Sequence, residues 1–96
     1  MIAGLTDAER VEATTVLLAT VVAAESLTVS ADMRVSEKDA AHLLAMAPGH
    51  LKALRQEGRG PVSYQIGVGG SRVSYRLNEL AAWIEGSREE IFLNDR

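Results

Sequence analysis

The apolar positions of this chain follow two periods. From Asp7 to about Glu25, Val11, Val16, Leu17, Leu18, Val21, Val22 and Ala24 recur at helical spacing. They are denser than one buried stripe needs, so this helix is expected to be covered on more than one side. Thr6 followed by Glu9 has the spacing of a capping box and sets its start. Residues 26–34, SLTVSADMR, mix β-branched with small polar residues and read as a connector or a short extended piece.

Ser36 then stands ahead of EKDAAHLLAM, with Glu37 and Asp39 in the first turn, where they complement the helix dipole. Ala40, Leu43 and Leu44, with Ala41 beside them, supply the buried face. Pro48 cannot continue a helix interior but suits the first turn of a new helix. The next helix is therefore expected from Pro48 to about Glu57, with Leu51 and Leu54 inward and Gly58 as its left-handed terminator. A tight turn around Met46 and Ala47 joins the two.

After Pro61 the period changes to two. VSYQI sets Val62, Tyr64 and Ile66 on one face, RVSYR sets Val73 and Tyr75 on one face, and GVGGS between them reads as a hairpin loop. Asn78 is placed to cap a last helix whose Leu80, Trp83 and Ile84 fall at i, i+3 and i+4, with either Gly86 as its stop or a further helical turn or two over SREEIFLNDR. The pattern predicts a mainly α protein with a small β-hairpin, an α+β domain.

Composition narrows the chemistry. The 96 residues are enough for one modest core, built mainly from aliphatics and alanine, because only four residues are aromatic. There is no cysteine, so disulfides, thiolate metal sites and cysteine nucleophiles are excluded. His42 and His50 fall on different helices without companion ligands, so no metal is expected. No spacing of carboxylates and serines suggests a catalytic pair or triad, and GVGG leads into a strand rather than a phosphate-binding helix. Neither an enzyme nor a cofactor is expected. The N-terminus lacks the pattern of a signal peptide, and the long uncharged run is broken by Glu25, short of a membrane span. The expected location is cytoplasmic.

The formal charge is −3, but its distribution matters more than its sum. Residues 1–47 hold three Lys/Arg against seven acids, a net −4. Residues 48–76 hold five cations against Glu57 alone, a net +4. Residues 77–96 hold two cations against five acids, a net −3. Helix, tight turn, helix, basic hairpin and closing helix is the order of a winged helix-turn-helix with an extra N-terminal helix, whose second helix enters the major groove of DNA while the wing follows the backbone. In that frame Gly49, His50, Ala53 and Gln56 are candidates for reading base edges. Lys52, Arg55 and Arg59 are candidates for holding phosphates. The hairpin offers Ser71, Arg72 and Arg76, with Gly69 and Gly70 permitting close backbone approach. A solvated helix face and an exposed turn are the competing readings of the same charges.

SEKDAAHLL, the Pro48 turn, LKALRQEGRGP and RVSYRLNELAAWI, within Val35 to Gly86, resemble in order and spacing the excisionase and AlpA-like winged-helix domains, relatives of the MerR DNA-binding domain. The resemblance implies a recognition helix at Pro48 to Glu57, a wing at Val62 to Arg76, double-stranded DNA as partner, and a role in phage or mobile-element regulation. Members act as transcriptional regulators or as recombination directionality factors alongside an integrase. The family usually has Gly in the turn and Ser or Thr capping the recognition helix, where this chain has Ala45 and Ala47.

The expected organisation is an N-terminal helix and connector over 1–34, the DNA-binding domain over 35–86 and a tail over 87–96. The first helix lies outside the resemblance and either covers the small core or forms a dimer interface, so a homodimer or a cooperative oligomer on DNA is expected. Overall acidity, the missing cap and the apolar first helix favour a different reading: a protein-interaction module, an anti-repressor or assembly adaptor, that kept the fold without binding DNA.

Overall fold

Three of the four helices among the described residues announce their starts and stops in local chemistry. The computed structural model describes residues 4–66 and 72–88. Helix α1 (Asp7–Ala24) opens on the capping box: Thr6 Oγ1 accepts from the Glu9 amide at 3.1 Å, and Glu9 Oε1 accepts from the Thr6 amide at 2.8 Å. Helix α2 (Glu37–Leu43) opens on Ser36, whose hydroxyl accepts from the Asp39 amide. Helix α3 (Pro48–Gln56) opens on Ala47, with Pro48 in its first turn and no side-chain cap.

All three of these helices close in the same way. After α3, the Arg59 amide donates to the Leu54 carbonyl and the Gly58 amide to the Arg55 carbonyl, with Gly58 at φ 72°. This paired arrangement satisfies two end carbonyls and needs a left-handed residue between them. After α2 the same two bonds run from Met46 to Ala41 and from Ala45 to His42, with Ala45 at φ 59°. After α1 they run from Leu27 to Val22 and from Ser26 to Ala23, with Ser26 at φ 54°. Only the Gly58 turn has the residue that adopts this conformation without steric cost.

Strands β1 (Arg34–Ser36), β2 (Tyr64–Ile66) and β3 (Arg72–Arg76) form one antiparallel sheet in the order β1-β3-β2. The expected hairpin thus gains a third strand from the segment before α2. Its register places Val35 opposite Tyr75, Arg34 opposite Arg76, and both Ser36 and Tyr64 opposite Ser74. Alternation sends Val35 and Tyr75 into the core and Arg34, Ser74, Arg76 and Tyr64 to the other face. The loop proposed as the wing tip, including Gly69, Gly70 and Ser71, lies outside the described residues, as does the tail from Glu89.

Helix α4 (Leu77–Gly86) begins directly after β3, so the cap expected at Asn78 is corrected to Arg76. No side chain caps this end. The Leu77 amide instead donates to the Met33 carbonyl at 2.9 Å, joining the helix start to the residue before β1.

One core joins every layer: Leu18 and Val22 of α1, Val35 of β1, Ala40 and Ala41 of α2, Leu51 of α3, Tyr75 of β3, and Leu77, Leu80 and Ala81 of α4. Complete burial of a leucine such as Leu51 contributes about 1.5–3 kcal/mol. Helix α1 packs on α4, and Thr14 Oγ1 donates to Glu85 Oε2 across that contact. The expectation that α1 is covered on several sides is corrected: Leu18 and Val22 are buried, whereas Val16, Leu17 and Val21 are exposed. No described helix is long and apolar enough to cross a membrane.

Candidate nucleic-acid interface

Leu51 and Leu54 anchor α3, one turn apart and both buried, and thereby determine which residues it presents. Gly49, His50, Lys52 and Gln56 are exposed, and Ala53 and Arg55 are half-buried. Helix α3 contains no acid along its whole length. Its presented surface is therefore polar and cationic, with Lys52 on it as a cation without an ion pair among the described residues.

Arg55 has a different environment from Lys52. Its Nε donates to Glu37 Oε2 at 2.7 Å and its terminal nitrogen to Glu37 Oε1 at 3.2 Å, a two-pronged pair whose partners are each about four-fifths buried. Glu37 Oε2 also accepts from the hydroxyl of Tyr75 at 2.6 Å. One carboxylate at the start of α2 thus joins α3 to the central strand of the sheet. Hydrogen bonding from Arg55 holds the Glu37 carboxyl below its usual range against the opposing effect of burial, with Tyr75 adding to the bonding and the charges of Arg55 and Lys52 assisting. Burial and the bond to Glu37 push the Tyr75 phenol up.

The remaining basic candidates are distributed unevenly. Arg59 follows the Gly58 turn and is exposed, paired with Glu57 at 2.8 Å. Its carbonyl accepts from Trp83 Nε1 at 3.0 Å, so α4 fixes the course of the chain leaving α3. Arg76 lies 5.1 Å over the Tyr64 ring and donates to Asp32 Oδ2 at 3.1 Å. Arg34, directly across the strand pair, donates to both Asp32 oxygens at 2.9 Å and to Ser74. Bonds from Ser30, Arg34 and Arg76 hold the Asp32 carboxyl far below its usual range.

Arg72 is exposed on β3, without an ion pair among the described residues. With Arg34, Ser30, Ser36, Ser74 and Asp39 it lines an open groove of about 690 Å³ along β1 and β3. His42, the other histidine, bonds Glu25 at 2.6 Å and ties the end of α1 to α2. Among the described residues no cluster of His and carboxylate side chains could hold a metal ion.

Gly49, His50, Lys52 and Gln56 are thus exposed on α3, whereas Arg55 is directed at the largely buried Glu37 and Arg76 at the exposed Asp32. Glu37, Asp32 and Tyr75, which organise those cations, are residues that sequence reasoning missed. Glu37 and Arg55 are 18 positions apart across a turn, and no local spacing marks such a pair. Compared with protein-family models, curated proteins and solved structures, the chain matches none.

Proposed function

We propose that α2, the Ala45 turn, α3 and the β2–β3 pair act as a winged helix-turn-helix of the excisionase and AlpA-like type, binding double-stranded DNA as a phage or mobile-element regulator or recombination directionality factor. The observation that carries this reading is the acid-free outer face of α3, where His50, Lys52 and Gln56 stand exposed above a side anchored by Leu51 and Leu54. A helix entering the major groove needs such a face, with short residues such as Gly49 and Ala53 allowing close approach to base edges. Lys52 on α3 and Arg72 on β3 would neutralise phosphates, and Arg59 could exchange Glu57 for a phosphate because that pair is exposed.

The test is fluorescence anisotropy on a mixed-sequence DNA duplex of about three helical turns, with salt varied. Lys52→Glu combined with Arg72→Glu is expected to weaken binding at least about tenfold and to flatten its salt dependence. Unchanged affinity in that variant, whose fold is checked by circular dichroism, would sink the reading.

The reading as a protein-interaction module rests on a separate observation: Arg55 is already engaged by Glu37 in a largely buried pair, leaving fewer cations for phosphates than the sequence carries. Wild-type protein that fails to bind the duplex at low salt would favour this second reading.

A further inference from the structure

The outer face of α1 has no role in the fold or in the proposed DNA contact. From Ala13 to Ala24 the helix contains no charged residue, although an outer helix face ordinarily carries charges. Leu18 and Val22 are committed to the core, while Val16 is 59% and Leu17 65% exposed, with Val21 beside them at 36%. At about 100° per residue, Ala13, Val16, Leu17, Thr20 and Ala24 form one continuous stripe opposite Leu18 and Val22.

We infer that this stripe is an interface with a second copy of the chain, packed antiparallel about a two-fold axis midway between Ala13 and Ala24. The stripe is self-complementary about that axis, as an isologous contact requires. The rotation sets Ala13 of one copy against Ala24 of the other at both ends, where small side chains let the helices approach. Leu17 meets its own counterpart near the centre, flanked by Val21. Thr20 meets its own counterpart, flanked by Val16.

Two features remove the costs of burying this face. Thr20 Oγ1 already donates to the Val16 carbonyl at 2.8 Å, so the residue can present its methyl group without leaving a hydroxyl unpaired. The antiparallel order separates the acidic ends of the two helices, each carrying Asp7, Glu9 and Glu12, and opposes the helix dipoles. It also brings Arg10 of one copy to the same side as Glu25 of the other. A parallel pair would place the acidic ends together. The partner is therefore a second copy of this chain rather than a lipid surface, for which a stripe flanked by acids is a poor match.

The inference is independent of DNA binding and is tested without DNA. Sedimentation equilibrium of the full chain is expected to show a reversible dimer, and Leu17→Glu is expected to raise its dissociation constant at least about tenfold while leaving the circular dichroism spectrum unchanged. Because the chain has no cysteine, single cysteines report the direction of packing. Under mild oxidation, a mixture of Ala13→Cys and Ala24→Cys proteins is expected to form the mixed disulfide, well above the disulfide formed by either variant alone. A monomeric wild type, a dimer indifferent to Leu17→Glu, or disulfides favoured within each single variant would each overturn the proposal.

Discussion

Arg55 Nε donates to Glu37 Oε2 at 2.7 Å, tying the last turn of α3 to the first residue of α2. The pair adds a polar tie between the two helices to the apolar anchoring that buried Leu51 and Leu54 already provide. The same carboxylate reaches Tyr75, so one side chain links α2, α3 and the central strand alongside the packed core that they share.

Glu37→Gln is expected to lower stability by about 2 kcal/mol, the scale of a charge-assisted hydrogen bond. Arg55→Gln should cost a similar amount and the double variant less than their sum, since each single variant leaves the other partner buried and unmatched. Urea denaturation of the four proteins measures this coupling. An additive cycle would contradict the structural role of Arg55.

Acid should unfold the protein progressively. Asp32, through bonds from Ser30, Arg34 and Arg76, and Glu37, through bonds from Arg55 and Tyr75, have carboxyls held below their ordinary values, so the native state binds fewer protons than the unfolded chain. Their stabilisation is present at neutral pH and declines as pH falls past the ordinary carboxylate values of 3.8 and 4.5 toward the depressed native ones. Urea midpoints measured against pH are expected to fall through this window, and Asp32→Asn or Glu37→Gln should flatten the fall. Asp32→Asn should also leave Arg34 and Arg76 repelling each other across the strands, an effect that added salt reduces.

Alkali acts through Tyr75. Its ring is fully buried and its phenol is raised above the ordinary value of 10.0, so the stabilisation is complete below that value and is lost as pH rises through the native one. In a Tyr64→Phe background, leaving Tyr75 as the sole tyrosine, ultraviolet titration is expected to show ionisation delayed until well above pH 10. Tyr75→Phe should keep the packing and remove the donor to Glu37, lowering stability by about 1–3 kcal/mol.

The turn between α2 and α3 can be improved. Ala45→Gly is expected to raise stability by about 1 kcal/mol, because the alanine sits at φ 59° in a closing turn that glycine enters without a clash. Ala47→Ser should add up to about 1 kcal/mol by capping α3, which has no side-chain cap. Thermal melts of both variants measure the gains, and unchanged melting of Ala45→Gly would argue against a strained turn.

Local signals were enough to place most elements. The Thr6 and Ser36 caps, Pro48 at the start of α3 and Gly58 at its end each act within about one turn of their own position, and the structure has them where the chain order puts them. The inward side of α3 was equally legible, because Leu51 and Leu54 are its only large apolar residues. Beyond one turn the signals weakened: β1 is three residues long and exists through its pairing with β3, and the start of α4 is set by the Met33 carbonyl rather than by Asn78.

By itself the sequence determined the helices, their order, the left-handed end of α3 and the basic middle third, because propensity, capping and net charge are properties of neighbouring residues. Only the tertiary structure decided which cations remain available. Arg55 and Lys52 have the same charge on the same helix, yet one is directed at Glu37 and the other at solvent. It also decided that α1 covers the core with one face and leaves Val16 and Leu17 exposed. The physical reason is the same in both cases: a side chain's partner depends on what packing brings within a few ångströms, and residues 18 positions apart in the chain have no signal in the sequence that they will meet.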